Sequence, residues 1–227
     1  MEKCFFHLTD EPRENDITTY YKCREIVKKH IGEMKIIDAV SEYRFVEKSF
    51  VDIGVPLISA YDGIREKYAG DLFVYYCCGP ADNYYTNRFL CMPLHRTRIL
   101  GTQLYLNDAA GFLHWGFNFY NTALSYSTID PYKETDAGGM FPSGDAFIVY
   151  PDRENKGVRS TLRAKALKRG FEDYRLLKTL EKIKGKQFVK NMLKRAGYEG
   201  FSVYPKNECQ HNKLFAEIRE IIWESNE

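Results

Sequence analysis

Hydrophobic and polar positions follow two different periods along this chain. Near its start, Cys4-Phe5-Phe6-His7-Leu8 is a short, mostly apolar run that ends in Thr9-Asp10-Glu11-Pro12. Such a run predicts a buried strand. Pro12 stops it, because proline has no backbone N–H to give a ladder and biases Glu11 away from helix. Helical spacing follows. Tyr20, Cys23, Ile26, Val27 and Ile31 predict one apolar helix face from about Thr19 to Ile31, with Gly32 as the stop.

The alternation continues. Lys35 to Val40 predicts a second strand, ending in Ser41-Glu42, and Val46 to Phe50 a turn of helix. Val55 to Ala60 predicts a third strand, Asp62 to Tyr68 a brief helix, and Leu72 to Cys77 an aromatic-rich fourth strand ending in Cys78-Gly79-Pro80. Asn87 to Leu106 reads as a long helix that Pro93 kinks or delays. A fifth strand, Ala110 to His114, runs into Trp115-Gly116-Phe117-Asn118. Ser125 to Asp145 is crowded with turn residues and predicts a long ordered loop. Ala146 to Tyr150 predicts a short strand and Pro151 to Gly157 a polar turn. Ser160 then caps a long helix to Ile183, whose buried face is Leu162, Ala166, Phe171, Tyr174, Leu177 and Leu180. Helical spacing returns over Gln187 to Ala196 and Asn212 to Trp223. Strands that alternate with helices and end in polar or aromatic residues predict parallel βα units, an α/β fold such as part of a TIM barrel.

Composition narrows the function classes. The 227 residues carry a formal net charge of +2, so there is no electrostatic case for nucleic acid. No apolar run is long enough to span a membrane. Met-Glu-Lys followed at once by a strand lacks a signal peptide's basic start and long apolar core, which makes a cytoplasmic location the default expectation. Aromatic residues reach 15%, which suits stacking on sugar rings as well as core packing. Six cysteines show no disulfide spacing and predict reduced, buried thiols. Cys77, Cys78, Cys91 and His95 lack the Cys-x-x-Cys spacing of a zinc site, so no metal is expected.

Asp10 and Glu11 are the candidate chemistry. They stand where a strand meets a surface loop, the end of an α/β sheet at which ligands bind. Glycoside cleavage needs a proton donor for the leaving oxygen and negative charge for a cationic transition state. Neighbouring carboxylates repel, so one holds its proton to higher pH than the other. Consecutive residues cannot flank a sugar from two sides. They can serve a reaction in which the substrate's own 2-acetamido oxygen attacks the anomeric carbon, one acid orienting that group and the other protonating the leaving group. The plainer alternative is a strand-ending pair that caps the next helix. Trp115 can floor a sugar site and Asn118 can bond a hydroxyl, or the two are a core indole and a turn residue. Tyr75 and Tyr76 point to opposite strand faces, so at most one meets a ligand. Asp145 either holds sugar hydroxyls or organises its own turn. His7 predicts a satisfied buried histidine. Arg163, Arg169, Glu172, Asp173 and Tyr174 share one helix and read as a solvated face, with Arg169 and Asp173 an i,i+4 pair. There is no phosphate-binding glycine loop and no Gly-x-Ser-x-Gly elbow.

Five segments in order are more specific than any one. They are Phe-His-Leu-Thr-Asp-Glu-Pro, Tyr-Tyr-Cys-Cys-Gly-Pro, Gly-Phe-Leu-His-Trp-Gly-Phe-Asn, Gly-Asp-Ala-Phe-Ile-Val-Tyr-Pro, and Leu-Arg-Ala-Lys-Ala-Leu-Lys-Arg-Gly-Phe-Glu-Asp-Tyr. Together they resemble glycoside hydrolase family 123 and the broader domain of unknown function 4091, from Phe5 to about Leu180. The resemblance implies a retaining N-acetyl-β-galactosaminidase on a TIM-barrel domain, acting by the acetamido-assisted route with no metal or organic cofactor. It implies that Asp10 orients the acetamido group and that Glu11 is the general acid/base. Tyr76, Trp115, Asn118 and Asp145 become substrate-binding candidates, the last three at motif positions near the family's sugar site. The Arg-Gly-Phe-Glu-Asp-Tyr stretch is a family mark read as structural.

A complete barrel has eight strands, and five βα-type strands are counted here. The expectation is a single, incomplete barrel over residues 1–227, roughly the C-terminal five βα units, with 184–227 as a helical extension. An open sheet edge predicts self-association or a partner chain that completes the barrel. The expected partner is a β-linked N-acetylhexosamine glycan. Two rivals stand beside this reading. One is a non-catalytic carbohydrate-binding or structural remnant. The other is a glycosidase pairing Glu11 with Glu42, Asp62 or Asp145, which needs those carboxyls about 5–10 Å apart.

Overall fold

The computed structural model describes residues 4–76 and 85–225, which fall into two compact units. The first takes 4–76 with Ala109–Leu113, and the second takes 85–108 and 114–225. Short parallel strands and many helices make this a mixed α/β fold. Among the described residues no helix is long and apolar enough to cross a membrane.

In the first unit the expected alternation is present in shortened form. Its elements are β1 (Phe5–Phe6), α1 (Ile17–Ile31), β2 (Lys35–Asp38), α2 (Tyr43–Glu47), β3 (Ile53–Gly54), α3 (Tyr61–Arg65) and β4 (Phe73–Tyr76). β1, β2 and β3 are parallel neighbours, with Phe5 opposite Lys35 and Ile37 opposite Ile53. Parallel bridges from Gly54 to Leu72 and from Leu57 to Tyr75 carry the pairing on towards β4. β5 (Gly111–His114) lies beside β4. The core is Ile36, Val40, Phe45, Val46, Val55, Ile58, Ile64, Leu72 and Val74, all buried. Gly54 belongs at a close approach: a Cβ there would sit 2.6 Å from Val46 Cγ1, so α2 and β3 pack only around glycine.

Two expectations are corrected in this unit, and a third across both. β1 is not a buried strand, because Phe5 is 47% exposed at the edge of the sheet, its ring near-perpendicular to that of Phe73 at 6.2 Å. α1 buries Tyr20 but turns Ile26 (58% exposed) and Cys23 to solvent. Polar anchors set that rotation. Tyr20 bonds Asp38, and Lys28 Nζ lies 2.7 Å from Asp52 Oδ2. The four described cysteines, Cys4, Cys23, Cys91 and Cys209, are free and exposed rather than buried. Cys77 and Cys78 lie outside the described residues.

The second unit is mainly helical. Its elements are α4 (Leu94–Arg98), α5 (Leu100–Leu106), the hairpin β6 (Tyr150–Asp152) and β7 (Gly157–Arg159), then α6 (Leu162–Lys184), α7 (Lys186–Arg195) and α8 (Glu208–Glu224). The helix predicted from Asn87 starts only at Leu94, because Pro93 stands at its N-cap in an extended conformation. Thr161, not Ser160, caps α6, accepting the Ala164 N–H at 3.1 Å. The strand predicted over Ala146 to Tyr150 is a buried loop segment that reaches strand geometry only from Tyr150. The predicted polar turn from Pro151 begins inside that strand. Residues beyond 184 are integral to the core: Val189, Leu193, Tyr198, Phe215 and Ile218 join Ile99, Leu177 and Leu180 in one cluster.

The buried face of α6 is more polar than its spacing predicted. Leu162 is exposed, and Arg163, Gly170 and Asp173 are buried. Glycines let the helices touch. A Cβ on Gly101 would sit 1.8 Å from the Gly170 carbonyl oxygen, and one on Gly170 would sit 2.3 Å from that of Arg98. Asp173 does not pair with Arg169. Arg98 grips it with Nε at 2.7 Å and Nη2 at 3.0 Å, and His211 Nε2 lies 3.0 Å from the same carboxylate. His211 Nδ1 in turn lies 2.6 Å from the Tyr198 hydroxyl. Burial alone would raise the Asp173 pKa, but the bonds from His211 and Arg98 outweigh it and hold it below the usual carboxylate range. The Arg-Gly-Phe-Glu-Asp-Tyr stretch thus supplies a helix contact and a buried ionic clasp.

Candidate active site

β1 delivers the chain to a loop at the carboxyl end of the parallel sheet. Asp10 and Glu11 are exposed there, and Pro12 immediately after them is buried. Glu11 takes φ 43°, a left-handed backbone that costs a non-glycine residue about 1–2 kcal/mol. Such strain survives only where surrounding contacts enforce it. The Tyr75 hydroxyl donates to Glu11 Oε1. The tyrosine that reaches the acid pair is therefore Tyr75. Tyr76, the sequence candidate, is buried, with its ring against Phe112 at 5.0 Å. One strand cannot aim both rings the same way.

Beneath the loop lies Asp38, the last residue of β2, which is buried. Its Oδ1 accepts the N–H groups of Leu8 at 2.8 Å and Thr9 at 3.3 Å, and lies 2.6 Å from His7 Nδ1. Its Oδ2 accepts the Tyr20 hydroxyl at 2.5 Å. Burial pushes the Asp38 carboxyl above its usual range against the pull of these donors, and burial with the Asp38 bond pushes the Tyr20 phenol up as well. His7 is largely exposed rather than buried, and its ring leans on Asp38 from the solvent side. Asp38 closes an apolar run, Lys35-Ile36-Ile37-Asp38. A lone acid at the end of a buried strand was the signal for it, but the predicted strand ran on through it to Val40.

The second unit holds the other candidates. Asp145 is completely buried. Its Oδ1 lies 3.2 Å from Arg88 Nη1, and its Oδ2 accepts the Trp115 indole N–H at 3.2 Å. Arg88 is itself buried and also reaches the Asp145 carbonyl at 2.9 Å. Arg163, on α6, donates to the carbonyls of Arg88 at 2.8 Å and Gly144 at 2.6 Å. Burial raises the Asp145 pKa more than Arg88, Trp115 and Arg163 lower it. In this placement the Asp145 carboxylate faces Arg88 and Trp115 from a buried position.

Trp115 is partly exposed, with Phe141 edge-on at 5.1 Å and Phe119 at 5.6 Å. Asn118 is exposed and its backbone bridges to Phe147. His114 keeps a partly exposed edge, but both ring nitrogens are buried. Desolvation, then the positive charges of Arg88 and Arg163, push its pKa down to about 2. Arg88 and His114 escaped the sequence reading, and Arg163, expected on a solvated helix face, is buried instead, because surface spacing gives no sign that a polar side chain is buried. Among the described residues no cluster of His, Cys, Asp and Glu could hold a metal ion.

These sites bear on the comparisons with known proteins. The model of the glycoside hydrolase 123 catalytic domain matches residues 1–180, the acid-pair loop at one end and most of α6 at the other. The chain belongs to glycoside hydrolase family 123. Among solved structures it is similar to a family 123 glycoside hydrolase from Clostridium perfringens, whose structure was analysed for the hydrolysis of glycolipid glycans. The identity is 18%, the TM-score 0.59, and the alignment covers 98% of this chain and 40% of that one. At that identity the likeness shows a shared fold, and the chain spans well under half the length of the enzyme it matches. No curated protein matches in sequence. The family 123 match stops at residue 180, yet Tyr198 and His211 beyond it complete the clasp on Asp173 within it.

Proposed function

We propose that this family 123 domain is a retaining N-acetyl-β-galactosaminidase that acts by substrate assistance. One observation carries the reading: two consecutive carboxylates stand exposed on a strained strand-end loop, with a tyrosine hydroxyl on the second of them. Asp10 orients the 2-acetamido group, whose carbonyl oxygen attacks the anomeric carbon and displaces the leaving oxygen. Glu11 gives that oxygen its proton, then takes one from the water that opens the oxazoline-type intermediate. Atoms balance as a hydrolysis, and no step calls for a metal or organic cofactor. Trp115 and Asn118 are proposed to contact the sugar, and Asp145 to act behind Trp115. We take the parallel strands as part of a TIM barrel and the chain as one such domain. The exposed β1 edge around Phe5 is where a second copy or partner chain would pair.

The test is hydrolysis of an aryl N-acetyl-β-galactosaminide, run beside an aryl β-galactoside that lacks the acetamido group. Cleavage of the first alone is expected. Glu11→Gln should lower that rate by about 10²–10⁴-fold without shifting the unfolding midpoint. Equal cleavage of both sugars would overturn substrate assistance, and activity surviving in Glu11→Gln would overturn its role. Cleavage of neither would favour a non-catalytic carbohydrate-binding domain.

A further inference from the structure

We infer that Asp38 is the positioning residue of the acid pair: its buried carboxylate fixes the backbone that presents Asp10 and Glu11. This rests on the reading of that pair given above. Asp38 sits on β2, thirty residues from the loop it holds, and it is 1% exposed, so it touches no substrate. Its Oδ1 takes two consecutive N–H groups, from Leu8 at 2.8 Å and Thr9 at 3.3 Å. Those are the last two residues before Asp10, so a shift of either peptide is passed directly to the acids.

Asp38 is itself braced. Its Oδ2 accepts the Tyr20 hydroxyl at 2.5 Å, and Tyr20 is buried on α1 with its ring edge-on to Phe45 at 5.1 Å. The loop is therefore tied on its entry side to β2 and α1. On its exit side it is held by the buried Pro12, and Tyr75 reaches the Glu11 carboxylate from β4. Held at both ends, Glu11 can keep the left-handed backbone that a free loop would relax. A carboxylate suits this task because it accepts from several donors at once and competes with water better than a neutral oxygen. Misplacement of a catalytic group by about 1 Å costs on the order of 10²-fold in rate.

The experiment compares Asp38→Ala, Asp38→Asn and Tyr20→Phe with the parent chain. The readouts are kcat and KM on the aryl N-acetyl-β-galactosaminide, the unfolding midpoint, and amide hydrogen exchange over residues 7–11. Asp38→Ala should lower kcat about 10–100-fold with KM changed less than about threefold, and should speed exchange at Leu8 and Thr9. Asp38→Asn keeps an oxygen for the two N–H groups, and should recover kcat to within about fivefold of the parent. Tyr20→Phe removes only the brace and should fall between the two. A parent-like kcat in folded Asp38→Ala overturns the inference. If that variant does not fold, a parent-like kcat and exchange in Tyr20→Phe overturns it instead. Should the parent chain cleave nothing, the glycosidase reading fails by itself, and unchanged exchange at Leu8 and Thr9 in the variants would separately refute the tether.

Discussion

The two units use the same side chains in opposite ways. In the first, Asp10 and Glu11 stand in solvent at a sheet end. In the second, Asp145 and Asp173 are buried and each is met by an arginine, Arg88 at 3.2 Å and Arg98 at 2.7 Å. A buried ion pair is weak evidence of stability, since desolvation of both charges offsets most of their attraction. Breaking one by removing a single partner is another matter, because the remaining charge is left buried. A carboxylate offered to a substrate gives up that compensation and keeps its access. The contrast teaches that an acid's role lies in what surrounds it, and the residue type is silent on that.

Asp38 belongs to neither class. It is buried as deeply as the acids of the second unit, yet a tyrosine, two peptide N–H groups and an exposed histidine meet it instead of an arginine. Its carboxyl is held above its usual range, as that of Asp145 is, whereas Asp173, with both Arg98 and His211, is held below. Three buried aspartates thus carry two directions of shift: desolvation wins on Asp38 and Asp145, and only on Asp173 do the hydrogen bonds of His211 and Arg98 outweigh it.

The sharpest way to break the comparison is to remove one acid of the second unit. Asp173→Ala leaves Arg98 and His211 facing a buried gap, and should cost about 3–5 kcal/mol. Chemical denaturation followed by tryptophan fluorescence reads it cleanly, because the protein's two tryptophans, Trp115 and Trp223, both lie in that unit. A loss below about 1 kcal/mol would show that the clasp is relaxed by water and that the two units treat acids alike.

The second prediction concerns pH. His114 has its pKa pushed down to about 2 in the folded chain, against about 6.5 when unfolded. Below pH 6.5 the unfolded chain binds a proton that the folded one refuses, so stability falls as pH falls. The slope approaches 1.4 kcal/mol per pH unit for one proton. The lowered pKa of Asp173 adds a loss of the same sign only below its unfolded value near 3.8. Between pH 6.5 and about 4.5 the tryptophan-detected stability should therefore drop more steeply in the parent than in His114→Asn. Parallel curves would mean that the imidazole charges without unfolding the site.

How much of this was legible in the sequence follows the same divide. The order of strands and helices was readable because apolar periodicity reports burial, and so was the loop position of Asp10 and Glu11, although β1 ends at Phe6, well before Pro12. Element lengths were not. β1 and β3 are two residues each, since pairing needs a neighbour at the right register and periodicity names no neighbour. Arg88 and Asp38 were missed, and Arg163 was read as solvated, for one reason: their burial is granted by partners far off in the sequence. Tyr75 was not picked out: alternation said only that at most one of two tyrosines meets a ligand, and the candidate chosen was Tyr76, whereas Tyr75 is the one that reaches Glu11.

Arg169 tests the limit of such reading with the smallest expected effect. Its spacing to Asp173, one helical turn, predicts an exposed pair worth a few tenths of a kcal/mol. The geometry gives Asp173 to Arg98 and His211 and leaves Arg169 exposed on α6. Arg169→Ala should then change stability by less than about 0.5 kcal/mol, and at 0.5 M salt the variant and the parent should remain indistinguishable. A larger loss that salt removes would mean that Asp173 shares its charge with the solvent face. Its burial, and with it the contrast between sheltered and offered acids, would then have to be redrawn around a carboxylate that serves both sides.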